Sequence, residues 1–323
     1  MRIRFTDYPE YISQENYQIS LNKFLNKLIY SENMVSIYQI GSIRDPGISD
    51  IDIVIVFKDG AEYPYDPIKG MSELDKYMFC HRPYGISQTD FISVQKFTFF
   101  HNYKLLSGKQ LLSEKNIMST DETQKLKAQI ALEFLLKMYI NLTLSRTYRM
   151  YRIRELLLHI KGILYDLEFL HSDSGDIYDI VTEIVNWRKR WFVSYPTETE
   201  MLKKLNILNS ELNQFLDRTI NIYGFYAPNS SNLRVASNIR LINADATKYI
   251  YKGYRLPSIF NVFGSKYFNI QNRFVYFQFH LPISTNEIPT ILQQQFEFFR
   301  HLKKMCNSNY NHFMPMTTSL NLY

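Results

Sequence analysis

The chain changes its hydrophobic rhythm three times. Over "QENYQISLNKFLNKLIYSEN", residues 14–33, apolar side chains fall at Ile19, Leu21, Phe24, Leu25 and Leu28. That spacing predicts an amphipathic helix. "VSIYQI" and "DIDIVIVF", rich in β-branched residues, predict two strands. "DGAEYPYDPIKG" carries the Gly and Pro of a loop, and "MSELDKYMF" a short helix starting near Ser72. "TDFISVQKF" is a further strand candidate. These elements make residues 1–115 an expected mixed sheet with helices.

From about residue 116 the rhythm becomes helical. Residues 119–171 contain no Pro and one Gly, with a start signal at Ser119 or Thr120 followed by Glu122. This length fits two helices or one long bent one. "SDSGD" interrupts it, and helices are expected over 176–192 and 197–222. Residues 116–225 therefore read as a helical domain. Beyond them, "YIYKGYRL" and "RFVYFQFHL" read as strands and about 287–306 as a helix. The tail "NSNYNHFMPMTTSLNLY" reads as loose or late-packing, so 226–323 is an α+β region of unassigned role. The class expected for the whole is α+β.

Composition narrows the chemistry only in part. The 323 residues are enough for two or three domains, and a net charge of +6 suits an anionic partner as well as simple solubility. Two cysteines, Cys80 and Cys306, give no disulfide framework, and Cys80 with His81 reads as a pair of structural neighbours rather than a zinc site. No apolar run reaches the length of a membrane span, and the N-terminus has no apolar signal region. The expectation is a cytoplasmic protein with no membrane partner. There is no Gly-rich phosphate loop of the P-loop or dinucleotide type.

The chemistry gathers in "IGSIRDPGISDIDIVIVF", Ile40 to Phe57. Asp50 and Asp52, at i and i+2, share one strand face, while Ile51, Ile53, Ile55 and Phe57 face the other way. Adjacent carboxylates repel unless a cation lies between them, and two oxygen ligands suit Mg²⁺ or Mn²⁺. Upstream, Gly41 lets backbone approach a phosphate, Ser42 offers a hydroxyl and an N–H, and Arg44 adds a cation.

An apolar strand, Gly-Ser, a turn and a strand carrying Asp-x-Asp resemble the nucleotidyltransferase superfamily typified by DNA polymerase β and kanamycin nucleotidyltransferase. The motif covers about 20 residues. "YKLLSGKQL" resembles the Leu-x-Gly turn that often ends that domain, extending the order of elements to roughly residue 110. The resemblance implies metal-dependent transfer of an NMP from an NTP to an acceptor hydroxyl. Asp50 and Asp52 would hold two Mg²⁺ (or Mn²⁺) ions. A third carboxylate would come from a later strand, matched by order to Asp90, with Asp66, Glu73 and Asp75 as nearby competitors. It also implies a basic residue of the helical domain at the phosphates, with Lys161 the candidate. The turn between Ser42 and Asp50 is shorter than in many members and leaves little room for the helix that normally follows Gly-Ser.

The acceptor stays open among an RNA 3′ end, a small hydroxylated molecule and a protein side chain. The basic and aromatic balance tilts it toward RNA, tRNA included. The sequence sets no oligomeric state. A second reading keeps the fold without catalysis, as a nucleotide- or partner-binding module of a regulatory or toxin–antitoxin kind. The basic runs "SRTYRMYRIRELLLHIKG" and "NWRKRWF" read as a solvated helix face and a core-anchored helix end. "FGSKYF" reads as a turn.

Overall fold

The computed structural model describes residues 3–28, 32–99, 102–112, 119–228, 232–320 and 322. In chain order the elements are β1 (Arg4–Thr6), α1 (Gln14–Leu28), β2 (Met34–Ile40), β3 (Asp52–Phe57), α2 (Glu73–Met78), β4 (Tyr84–Ser87), α3 (Gln88–Thr98) and β5 (Tyr103–Gly108). Then come α4 (Thr120–Tyr148), β6 (Met150–Arg152), α5 (Ile153–Phe169), α6 (Asp176–Arg190) and α7 (Glu198–Tyr223). The rest are β7 (Asn232–Ala236), β8 (Ile239–Asn243), β9 (Lys248–Gly253), α8 (Ser265–Gln271), β10 (Val275–Leu281) and α9 (Thr290–Asn309). The protein is α+β. The residues group into two compact units, one of 10–119 with 294–317, the other of 1–9, 120–293 and 318–323. Residues 226–293 thus group with the helices, and 294–317 with the N-terminal sheet.

The smaller unit is built on a four-stranded sheet ordered β4-β3-β2-β5. β2 is antiparallel to both β3 and β5, and β4 runs parallel to β3. Ile51, Ile53, Ile55 and Phe57 pack with Tyr17, Leu21 and Phe24 of α1, with Met78 of α2, and with Tyr310 and Phe313. Val54 and Val56 are fully buried on the opposite face, where Tyr38 of β2 stacks on Phe91 of α3. The tail segment is ordered by this sheet: Tyr310 stacks on Phe57 at 4.5 Å and Met314 bridges to Tyr84.

"TDFISVQKF" is helical, not a strand. Ser87 caps α3, its side chain accepting from the Asp90 N–H. Phe91, Val94, Phe97 and Thr98 are buried, a three-to-four residue period that the β-branched content of the segment had masked.

In the larger unit α4 is buried around much of its circumference, so it reads as a central helix rather than an amphipathic one. It ends at Arg149, held at φ 57, after which β6 pairs in parallel with β1, and α5 follows at once. Residues 119–171 are therefore two helices joined by Arg149 and three extended residues. Arg146 and Arg149 do not share a helix face with Arg152, which pairs with Glu155 at the start of α5 and stacks over Phe268. At the end of α6, buried Arg188 donates to the Leu157 and Leu158 carbonyls, and Trp191 packs between Tyr8 and Tyr195. That is a helix anchor. "FGSKYF" opens α8 at Ser265 instead of turning the chain. A second sheet, β7-β8-β10-β9, lays Phe277, Phe279 and Tyr249 against Tyr139 and Tyr148 of α4.

No helix is long and apolar enough to cross a membrane among the described residues. Neither cysteine forms a disulfide.

Candidate metal centre

Three things fix the start of β3. Residues 41–49 form no helix; they fold into a tight turn in which the Ile48 and Ser49 N–H groups donate to the Asp45 carbonyl. Two tyrosines pin that turn. Tyr17 of α1 donates to the Ser49 carbonyl at 2.6 Å and accepts from the Gly47 N–H, and Tyr77 of α2 donates to the Gly47 carbonyl at 2.7 Å. The Ile51 N–H then donates to the Met78 carbonyl at 2.9 Å, tying the end of α2 to the residue between the two aspartates.

That last bond carries the chain through Phe79 and Cys80 to His81. The His81 Nε2 lies 2.6 Å from Asp52 Oδ1 and 4.0 Å from Asp50 Oδ2. One ligand atom each from Asp50, Asp52 and His81 falls within 4.8 Å of the others. Nδ1 lies 2.7 Å from the Arg82 carbonyl oxygen, which can only accept, so Nδ1 carries a hydrogen. This leaves Nε2 facing the carboxylates, the orientation in which a backbone carbonyl holds a metal-ligating imidazole. Burial works against the imidazolium, but the Asp52 hydrogen bond and charge outweigh it and raise the His81 pKa to about 9. Without a cation, the ring itself is the counter-charge for the aspartates.

The rim is aromatic. The Tyr84 ring meets His81 edge-on at 5.4 Å. Burial first, then the charges of Asp52 and Asp50, hold the Tyr84 hydroxyl far above its ordinary pKa, so it stays protonated. The register of β2 sets Tyr103 of β5 and Asp52 of β3 on either side of Ile40. Burial pushes the Tyr103 hydroxyl up to about 12.

Gly41 and Ser42 follow Ile40 directly, so the bend lies beside the aspartates. Gly41 sits at φ 71 with its N–H donating to the Asn102 carbonyl, and a Cβ there would meet nothing within 4 Å. Arg44 folds back so that its Nε donates to the Ser42 hydroxyl at 3.1 Å.

Asp90 does not join the cluster. β4 runs parallel to β3 with Ser87 beside Phe57, so Asp90 lies past the far end of the strand that starts at Asp52. Five residues of strand separate those ends, about 16 Å. There Asp90 accepts from the Ser87 hydroxyl at 2.7 Å and faces His301 Nε2 at 3.2 Å. The expectation that it completes the site fails because the strand assumed to carry it is the first turn of α3. Asp75 is used in the capping box of α2 and accepts from Ser20 as well. Asp66 faces His312. Lys161 lies on α5 with its ammonium over Tyr165. A cavity of about 760 Å³ in the smaller unit is lined by Lys27, Tyr63, Tyr65, Asp66 and Lys69, and by none of the cluster residues.

His81 is the member of the candidate cluster that the sequence does not mark. No local spacing marks it, because it reaches Asp52 through the return of the chain after α2.

Two carboxylates and an imidazole fit one divalent ion. The mixed oxygen–nitrogen set suits Mn²⁺ or another borderline ion better than Mg²⁺, which prefers oxygen throughout. No family model, curated protein or solved structure matches the chain.

Proposed function

We propose that the chain is a divalent-metal-dependent nucleotidyltransferase whose centre is Asp50, Asp52 and His81. The observation that carries this reading is the pairing of Ile40 with Asp52, which sets the Gly41-Ser42 bend against two converging carboxylates. Asp50, Asp52 and His81 would hold the ion, with the Arg82 carbonyl keeping the imidazole turned toward it. When bound, the ion neutralises phosphate charge and lowers the pKa of a hydroxyl that approaches it. Gly41 leaves the bend open to phosphate, Ser42 donates its hydroxyl hydrogen to a phosphate oxygen, and Arg44 adds its positive charge. The acceptor oxygen attacks the α-phosphorus of an NTP, the bond to the β-phosphate oxygen breaks, pyrophosphate leaves, and the acceptor proton passes to solvent. RNA is the favoured acceptor, and the cytoplasm the compartment that supplies both substrates.

The test is incubation of the whole chain with each α-³²P NTP, Mn²⁺ or Mg²⁺, and a pool of RNA, protein and small molecules. Label transferred by the native chain and not by Asp52→Asn supports the reading. No transfer under any of these conditions refutes it.

One observation favours a second reading, a nucleotide-binding module without catalysis. Among the described residues the third carboxylate is missing from the cluster, and Tyr103 takes the neighbouring position on β5. This module would bind Mn²⁺ and NTP through the same residues while transferring nothing.

A further inference from the structure

The sheet β7-β8-β10-β9 has one face on α4 and one in solvent. Pairing along its ladders sorts the residues. Ile239, Leu241, Phe277 and Phe279 point inward and are buried. Arg234 of β7, Arg240 of β8, Tyr276, Gln278 and His280 of β10, and Lys248, Ile250 and Lys252 of β9 point the other way. Arg234, Arg240, Lys248, Lys252 and Tyr276 are all exposed.

Three features of this outer face agree. First, it carries four fixed cations and no carboxylate among these ladder positions. Secondly, Arg234 sits directly opposite Arg240. Like charges placed opposite one another in a ladder destabilise it, and an anion across them relieves that cost. Thirdly, the cations flank a central strip. β10 lies inside the sheet, with Tyr276, Gln278 and His280 at intervals of about 6.8 Å, twice the strand rise. Arg234 and Arg240 lie on one side of it, Lys248 and Lys252 on the other. Tyr276 is 56% exposed and presents an aromatic ring on that strip, where a base can stack.

We propose that this face binds single-stranded RNA, with bases stacking along β10 on Tyr276 and phosphates running over the flanking arginines and lysines. An open sheet face suits splayed bases, which RNA single strands present, rather than the grooves of a duplex. The proposal does not rest on the transferase reading, since binding can be read with no NTP and no metal.

The experiment is fluorescence anisotropy of a labelled oligouridylate with the full chain in EDTA, across a salt series. Native protein should bind with an affinity that falls as salt rises. Arg240→Glu with Lys252→Glu should weaken binding at least about tenfold and flatten the salt slope by about 1.4, two phosphate contacts' worth. Tyr276→Ala should weaken it about tenfold with the slope unchanged, while Tyr276→Phe keeps native affinity, because the ring does the stacking. Lys189→Glu with Lys203→Glu, the same change of charge on exposed residues of α6 and α7, should have little effect. Thermal melts of each variant establish that it is folded. The proposal is overturned by no binding at low salt, by equal loss in the α6–α7 control, or by an unaffected Tyr276→Ala. Tighter binding to duplex RNA or to single-stranded DNA of the same sequence also overturns it.

Discussion

The Nε2 of His81 stands 2.6 Å from Oδ1 of Asp52, although 29 residues separate them in the chain. This contact turns a pair of strand-end carboxylates into a three-donor cluster, and it decides which ion the cluster suits. Replacing His81 with Asn keeps a polar side chain but removes the imidazole. Mn²⁺ affinity should fall at least about tenfold, as losing a ligand or its support commonly costs 10–100-fold. Affinity for Mg²⁺ should change far less. Isothermal titration of the two ions against native and His81→Asn protein reads this directly. Unchanged affinity for both ions would remove His81 from the site, and equal losses would overturn the preference for Mn²⁺.

Asp90 belongs to the cap of α3, where it sits on the Ser87 hydroxyl and beside His301. Asp90→Asn should leave Mn²⁺ binding at the native level. It should lower stability by about 1 kcal/mol, the usual worth of a helix-start carboxylate with a capping partner. Chemical denaturation and the same metal titration separate the two effects. A lost metal site would restore Asp90 to the centre.

Glycines 41 and 108 both have positive φ but differ in their surroundings. A Cβ at Gly108 would lie 2.1 Å from the Val35 carbonyl oxygen, in the backbone of the neighbouring strand. Gly108→Ala should therefore cost at least about 3 kcal/mol or prevent folding. Gly41→Ala meets open space and should cost only about 1 kcal/mol of left-handed strain. A methyl group at Gly41 would stand where phosphate is proposed to approach, so NTP affinity should drop more than stability does. Urea titration and nucleotide binding on both variants check the contrast.

Glu133, fully buried on α4, accepts from Gln129 at 3.1 Å and from the Leu320 N–H at 3.4 Å. Burial outweighs these bonds and raises its pKa from 4.5 to about 7. The folded protein thus holds the proton more tightly than the unfolded chain does. Its contribution to stability is complete below pH 4.5 and lost as pH rises toward about 7, and it changes no further above that. The full difference is about 3 kcal/mol. Glu133→Gln should remove that pH slope and make the protein more stable than native at pH 8. Unfolding free energies of the two proteins from pH 5 to 8 should converge at the acid end, and parallel curves would contradict the assignment.

Sequence periodicity carried much of the fold. α1, α6, α7 and α9, and the strands β2, β3, β9 and β10, follow from apolar spacing and β-branched content because those signals lie within a few residues of one another. The alternation at Asp50 and Asp52 likewise puts both carboxylates at one end of a strand, opposite Ile51 and Ile53. α3 was not legible in the same way, since Phe91, Ile92 and Val94 satisfy a strand as readily as a helix until the Ser87 cap is seen.

What only the tertiary structure decided was which distant groups meet. The parallel run of β4 beside β3 carries Asp90 to the far end of the sheet. The Ile51–Met78 hydrogen bond brings His81 to the near end, and the registers of β7, β8, β9 and β10 gather four cations on one face. Local sequence sets the direction in which each side chain points, because that follows from φ and ψ. Strand order and register depend on burial summed over the whole core, so no single segment contains them.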